Sequence, residues 1–127
     1  MDVSPRPLLP SERALIAGLL RHGAPPEPHF HPELDAVRVV WECDCGCSSI
    51  EFQSEGRPSV GREETLTLAD AYGVTPDGRN VGLILWGTEH ALSRLEIYSL
   101  DSDPPFAVPS PDSITDDPPA PTWFQDV

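Results

Sequence analysis

The sequence predicts an α+β fold, in which an N-terminal helix packs on an antiparallel meander of about five strands. Two observations lead to this class. Apolar residues recur with a helical period near the N-terminus, and from Ala36 the period changes to two. The length of 127 residues is that of a single domain. We therefore predict one α+β domain over residues 1–100, followed by an acidic, proline-rich tail over residues 101–127.

The helix is predicted over residues 10–22. Pro10 suits the first helical position, and Glu12 brings a carboxylate to the positive end of the helix dipole. Gly23 is a natural C-terminal stop. A short helix of this kind is marginal alone, so its apolar stripe must cover another element. The stripe consists of Leu15, Ile16, Leu19 and Leu20.

The strands are predicted from alternating apolar residues. The first two span residues 36–43 and 49–53, and a tight turn at residues 44–48 separates them. The apolar phase flips between them, which requires a turn or a bulge near Gly46. Further strands are predicted in the stretches ETLTLADAYG, VGLILW and LSRLEIYSL. Trp41 and Trp86 lie on strands, and we assign both to the core.

The charge of the chain is strongly negative, at −13. Residues 1–100 contain 15 acids and 8 arginines, for a net −7, and residues 101–127 contain six aspartates and no base, for −6. Such a surface repels phosphate backbones, so nucleic-acid binding is not expected. No apolar run is long enough for a membrane helix, and we expect a cytoplasmic protein without membrane contact.

The tail has few apolar residues, but its aromatic ones are costly to leave in water. We predict that it runs along the domain surface and docks there. Alternatively, Trp123 and Phe124 form a partner-binding peptide.

Three cysteines lie at alternate positions in CDCGCSSIEF, at Cys43, Cys45 and Cys47. On a straight strand alternate side chains are about 6–7 Å apart, too far for one zinc ion. A tight turn at Gly46 would bring them together. Three thiolates then need a fourth ligand, and an H-x-H pair, His29 and His31, lies upstream, as does His22.

Other interpretations of the cysteines are small apolar residues tucked under the helix and a redox pair. We favour the packing interpretation over metal binding, and His29 and His31 then flank Phe30 as it anchors a loop. In a cytosol the thiols stay reduced, and an odd number of cysteines cannot pair off within the chain.

A resemblance follows from four stretches: LLPSERALIAGLLRHG, RVVWECDCGCSSIEF, VGLILWGTEHALSRLEIYSLDSDPP and the P-x-P-DSI tail. Together they resemble an uncharacterised family of small bacterial proteins from high-GC genomes, with a C-G-C turn and an L-S-x-L-E-I-Y strand. The resemblance covers most of residues 8–115 and implies no activity. Cys43 is an addition to the C-G-C pair, which implies that a three-cysteine site is not a family property.

The function predicted first is that of a non-enzymatic, acidic protein-interaction domain, such as a regulatory or immunity-type inhibitor of a basic protein. It needs no cofactor and no catalytic residue. The alternative is a small zinc-binding protein that uses the Cys43, Cys45 and Cys47 turn with a histidine. No serine, carboxylate-pair or phosphate-loop constellation supports an enzyme.

Overall fold

The computed structural model describes residues 1–22, 34–54, 65–88, 91–100 and 103–117. These residues form an α+β structure with one α-helix and one antiparallel sheet. The helix α1 spans Pro10–His22, as predicted, and short 3₁₀ turns span Leu34–Ala36 and Pro111–Ser113. The strands are β1 (Asp2–Pro7), β2 (Val37–Glu42), β3 (Ile50–Ser54), β4 (Leu66–Val74), β5 (Asn80–Gly87) and β6 (Leu92–Ser99).

The described sheet has six strands where about five were predicted, because the N-terminal stretch forms β1. Two prolines, Pro5 and Pro7, concealed this strand, since proline cannot donate to a ladder. An edge strand tolerates proline, and β1 lies at an edge beside β2.

The sheet is not the simple meander that we predicted, because its strand order is β1-β2-β3-β6-β5-β4. Two antiparallel halves, β1-β2-β3 and β4-β5-β6, meet where β3 pairs with β6. The strands β5 and β6, which have no exposed residues, take interior positions, whereas β4, with the exposed residues Leu66, Asp70 and Val74, lies at an edge.

One face of the sheet, the covered face, carries the core. Its buried strand residues pack beneath α1, whose Leu15, Ile16 and Leu19 are fully buried. Truncating one such side chain to alanine typically costs about 2–5 kcal/mol. The strand residues of this core are Val37, Val39, Ile50, Phe52, Leu68, Ala69, Ala71, Val81, Leu83, Leu85, Leu92, Leu95 and Ile97.

The opposite face, the open face, carries Trp41 and Trp86, both half-buried. Our assignment of Trp41 and Trp86 to the core is therefore wrong. The ladder between β2 and β3 shifts register between Val39 and Trp41, so that Trp41 pairs with Glu51 and turns away from the core. Trp86 pairs with Arg94 on the same face.

Residues 103–117 run along the covered face beside α1. Phe106 and Pro109 are buried, and Ile114 Cδ1 lies 2.9 Å from the point that a Cβ on Gly18 would occupy. Thr115 forms an isolated antiparallel bridge with Tyr72 of β4. Residues 118–127 lie outside the described residues, so docking of the whole tail stays a prediction.

Candidate metal centre

The turn between β2 and β3, which we call the cysteine turn, comprises residues 43–49. It confirms the predicted reversal near Gly46. The Cys43 N–H donates to the Ser49 carbonyl oxygen over 3.0 Å, and the chain between them bends through positive φ at Gly46 (+86°) and Ser48 (+70°). This doubled left-handed bend prevents the thiols from following the alternation of a strand.

The three thiols converge as a result. The Sγ atoms of Cys43, Cys45 and Cys47 all lie within 4.8 Å of one another. Those of Cys43 and Cys45 are 2.7 Å apart. A zinc ion with Zn–S bonds of about 2.3 Å would hold its sulfurs slightly less than 4 Å apart. The three sulfur atoms are therefore close to the spacing that a zinc site requires.

Hydrogen bonds shift the pKa values of two of the thiols in opposite directions. Bonds to Cys43 and Cys47 raise the pKa of the exposed Cys45 thiol to about 12. Partial burial acts to raise the pKa of Cys47, but its hydrogen bonds with Cys45 and Ser49 outweigh this effect and lower that pKa below its ordinary value. Cys47 is therefore the thiol whose charged form its neighbours stabilise.

Two distant segments hold the turn in place. The Phe106 N–H donates to the Gly46 carbonyl oxygen over 3.1 Å, and the Ser48 hydroxyl donates to the Phe106 carbonyl oxygen over 2.7 Å. The buried Ser49 hydroxyl accepts from the Ile97 N–H over 2.9 Å and donates to the Ile97 carbonyl oxygen over 3.1 Å. Its side chain thus replaces a ladder pair between β3 and β6.

Ser49 also connects this support to the thiols, because its Oγ lies 3.4 Å from Cys47 Sγ. The arrangement fixes Cys47 against the sheet and leaves Cys45 exposed above it. The turn is therefore pre-formed by contacts that do not involve a metal.

A cleft of about 280 Å³ adjoins the turn. Its polar wall contains Cys43 and a charged network, in which Arg6 forms a bidentate pair with Glu12 at 2.9 and 3.0 Å and contacts Glu42 at 2.8 Å. Hydrogen bonding to Glu12 is the main cause that raises the pKa of Arg6. Glu12 also accepts the Leu9 N–H at the start of α1, which ties the helix to β1 and β2.

The cysteines do not pack under α1, so the packing interpretation is wrong. Cys45 is exposed and Cys43 half-exposed, and only Cys47 packs against the core. The reason is that the doubled bend turns the side chains out of the sheet.

Other predicted residues are not brought to this site. His22 pairs with Asp116, and in the described parts of the chain no histidine or carboxylate joins the sulfur cluster. His29, His31, Trp123 and Phe124 lie outside the described residues. Sequence reasoning missed Ser49 and Phe106, whose partners are 48 and 58 residues away in the chain. The only sequence signal was the cost of leaving Phe106 in water.

Comparison of the chain with known protein families, curated proteins and solved structures finds no match. The resemblance to a C-G-C family therefore stays a prediction. In the part of the chain that the structure describes, no helix is long and apolar enough to cross a membrane.

Proposed function

We propose that the protein binds a thiophilic metal ion, with zinc as the first candidate, through Cys43, Cys45 and Cys47. The observation that carries this proposal is the convergence of three sulfur atoms within 4.8 Å. Residues at alternate positions of a strand cannot achieve this, because their side chains stand about 6–7 Å apart. Thiolate ligands select soft or borderline ions such as zinc and copper(I).

The support of the turn by Phe106 and Ser49 favours binding further. A pre-formed site loses less conformational entropy when the ion binds than a flexible loop does. The fourth zinc position is open to water or to a residue such as His29 or His31. The proposal places the protein in a reducing cytosol, where its thiols stay available.

The test is to purify the protein without chelator and determine its metal content, then to titrate the metal-free protein with zinc under reducing conditions. We expect one zinc per chain and a rise in Tm on binding. Cobalt(II) in place of zinc should give thiolate-to-metal charge-transfer absorption.

The variant C43S/C45S/C47S should lose both signals, because serine oxygen is a poor ligand for zinc. Asp44→Asn alters an exposed carboxylate within the same turn and serves as the matched control. A folded wild-type protein that takes up neither zinc nor cobalt would rule out the proposal.

A second candidate function is contact with a basic partner protein. Several described arginines, namely Arg6, Arg13, Arg79 and Arg94, are paired with carboxylates of the same chain. Their charges are thus partly neutralised internally, and the surplus of acids faces outward, as at Asp70, Asp112 and Asp117. A docked tail would add its aspartates to this acidic surface. Such a field attracts positively charged proteins in a salt-dependent way.

This second function is tested by pull-down from the native organism at low and at high salt. We expect a basic protein to be retained at low salt and released at high salt. An absence of basic partners at low salt would count against it.

A further inference from the structure

A row of four side chains crosses the open face. The register pairs Trp41 with Glu51, Glu51 with Arg94, and Arg94 with Trp86, and all four residues are half-buried. The Arg94 guanidinium carbon lies 5.7 Å from the centroid of the Trp41 ring, which is a cation–π contact. The row therefore holds Arg94 against one indole and leaves Trp86 as its neighbour on the other side.

A pocket of about 170 Å³ opens beside Arg94 and Trp86. Pockets for drug-sized ligands measure about 300–1,000 Å³, so this one suits a single side chain. Its described lining consists of Glu51, Thr65, Trp86, Ser93, Arg94 and Glu96.

The charge of the lining favours a cation. It contains two carboxylates and one guanidinium, for a net negative charge; Arg94 pairs with Glu96 at 3.5 Å, and its buried Nε has no hydrogen-bond partner among the described residues. Nearby, burial is the main cause that raises the pKa of Tyr98, and the carboxylates of Asp70 and Glu96 raise it further. An incoming anion would meet these carboxylates, whereas a cation would be attracted by them.

The surroundings of the pocket favour a protein over a small molecule. Tyr72, Ile84 and Tyr98 are half-buried on the same face of the sheet. Tyr72 and Tyr98 both pair with Gly82, and Ile84 pairs with Glu96. Aromatic residues and arginine are enriched in protein interfaces, where a few of them provide most of the binding energy. A face with several aromatic residues around a pocket the size of one side chain matches that arrangement.

We propose that this pocket receives an arginine side chain of a basic partner protein, which stacks on the Trp86 indole and pairs with Glu96. The proposal rests on the second function given above and adds the place and chemistry of the contact. Arg94, held by Trp41, forms the far wall of the pocket.

The test uses a synthetic peptide of alternating arginine and glycine, titrated into the full chain at low salt. A peptide with citrulline in place of arginine keeps the shape and removes the charge. Binding is followed through the indole N–H resonances of Trp41, Trp86 and Trp123. We expect saturable shifts at Trp86 and Trp41 with the arginine peptide only, and their loss at high salt.

Glu96→Gln and Trp86→Leu should each lower the affinity for the arginine peptide about fivefold. Asp103→Asn makes the same charge change as Glu96→Gln at an exposed site and should leave the affinity within about twofold. Circular dichroism verifies that each variant is folded. If one pocket variant does not fold, the other decides the outcome.

Three outcomes would overturn the proposal. If Asp103→Asn and Glu96→Gln weaken binding of the arginine peptide equally, the peptide is attracted by net charge alone. The pocket then has no specific role, whereas the second function still stands. Binding of arginine amide as tightly as the peptide would indicate a site for small cations instead of a protein. Absence of peptide binding at low salt would remove the pocket, whereas the second function is decided by the pull-down given above.

Discussion

The cysteine turn and the turn at residues 75–79 each bend through a glycine with positive φ, +86° at Gly46 and +89° at Gly78. Their hydrogen bonds nevertheless lead to different parts of the molecule. In the second turn Thr75 accepts the Arg79 N–H through its hydroxyl and bonds Asp77 as well. The Gly78 N–H donates to the Thr75 carbonyl oxygen over 2.9 Å, so the backbone of this turn is closed by its own residues, and its outside contacts come from the Arg79 side chain, which donates to the Asp103 and Pro105 carbonyl oxygens.

The cysteine turn is held from outside, by Phe106 and by Ile97 of β6. The surroundings of the two glycines differ accordingly. A Cβ on Gly46 would lie 2.8 Å from Pro105 Cβ, whereas a Cβ on Gly78 would meet nothing within 4 Å. The comparison teaches that a turn supported by distant segments can leave its own side chains to face one another, as the three thiols do.

The largest effect is expected from removing the external support. Phe106→Ala should lower the free energy of unfolding by about 3 kcal/mol, since the ring is buried in the core. It should also weaken zinc binding about tenfold, because the segment whose backbone bonds Gly46 and Ser48 loses the buried ring that anchors it. Chemical denaturation and a competitive zinc titration measure the two effects.

Leu100→Ala, at a side chain that is 41% exposed, is the control and should change stability by less than about 0.5 kcal/mol. Unchanged zinc affinity in folded Phe106→Ala would mean that the cysteine turn is self-supporting, like the turn at residues 75–79.

Alanine at each glycine compares the two turns directly. Gly78→Ala should cost about 1 kcal/mol, from the left-handed backbone alone. Gly46→Ala should cost about 2–3 kcal/mol, because the new methyl group also meets Pro105. Thermal or urea unfolding of the pair gives the difference. Equal costs in free energy of unfolding would show that Pro105 shifts to accommodate the new methyl group without a measurable cost.

Ser49→Ala tests the second contact that holds the cysteine turn, the one between Ser49 and Ile97 of β6. The substitution leaves the N–H and carbonyl groups of Ile97 without their side-chain partner, which should cost about 1–2 kcal/mol. It should also raise the pKa of Cys47, which loses a stabilising hydrogen bond. Ser4→Ala, on the exposed part of β1, is the control for both measurements. A fully stable Ser49→Ala protein would contradict the role assigned to this hydroxyl.

The smallest effect concerns the order in which the thiols ionise. Cys47, whose pKa is lowered, should react with iodoacetamide at a lower pH than an ordinary thiol, because the thiolate is the nucleophile. Cys45 should resist modification until the pH approaches about 12. Peptide mapping by mass spectrometry at successive pH values distinguishes them. Simultaneous modification of all three cysteines would contradict the hydrogen bonding described above.

Local chemistry made part of the fold predictable. The helix Pro10–His22 was recognised because its first residue, its apolar stripe and its C-terminal glycine all agree. The bend at Gly46 was recognised from the flipped phase of its two strands. β1 escaped because prolines interrupt it and its exposed residues give no alternation. The pairing of β3 with β6 escaped because nothing local records which strands meet.

The candidate site, like the fold, could be predicted from the sequence only in part. The spacing of the three cysteines and the need for a tight turn were visible in ten residues. The parts that fix the turn, Ser49 with Ile97 and Phe106 with Gly46, are tertiary contacts across about half the chain. The wrong interpretation of the cysteines as core residues followed from placing the correctly predicted turn beneath the helix.

The seam between β3 and β6 has a consequence for biosynthesis. The ribosome delivers β1, α1, β2 and the cysteines early, but β6 and Phe106 emerge only after residue 90. Until then the sulfur atoms belong to a loop without anchors. We therefore expect the native sheet to assemble only after β6 emerges, and a nascent chain that stalls before β6 would leave the three cysteines without the contacts that Ile97 and Phe106 provide.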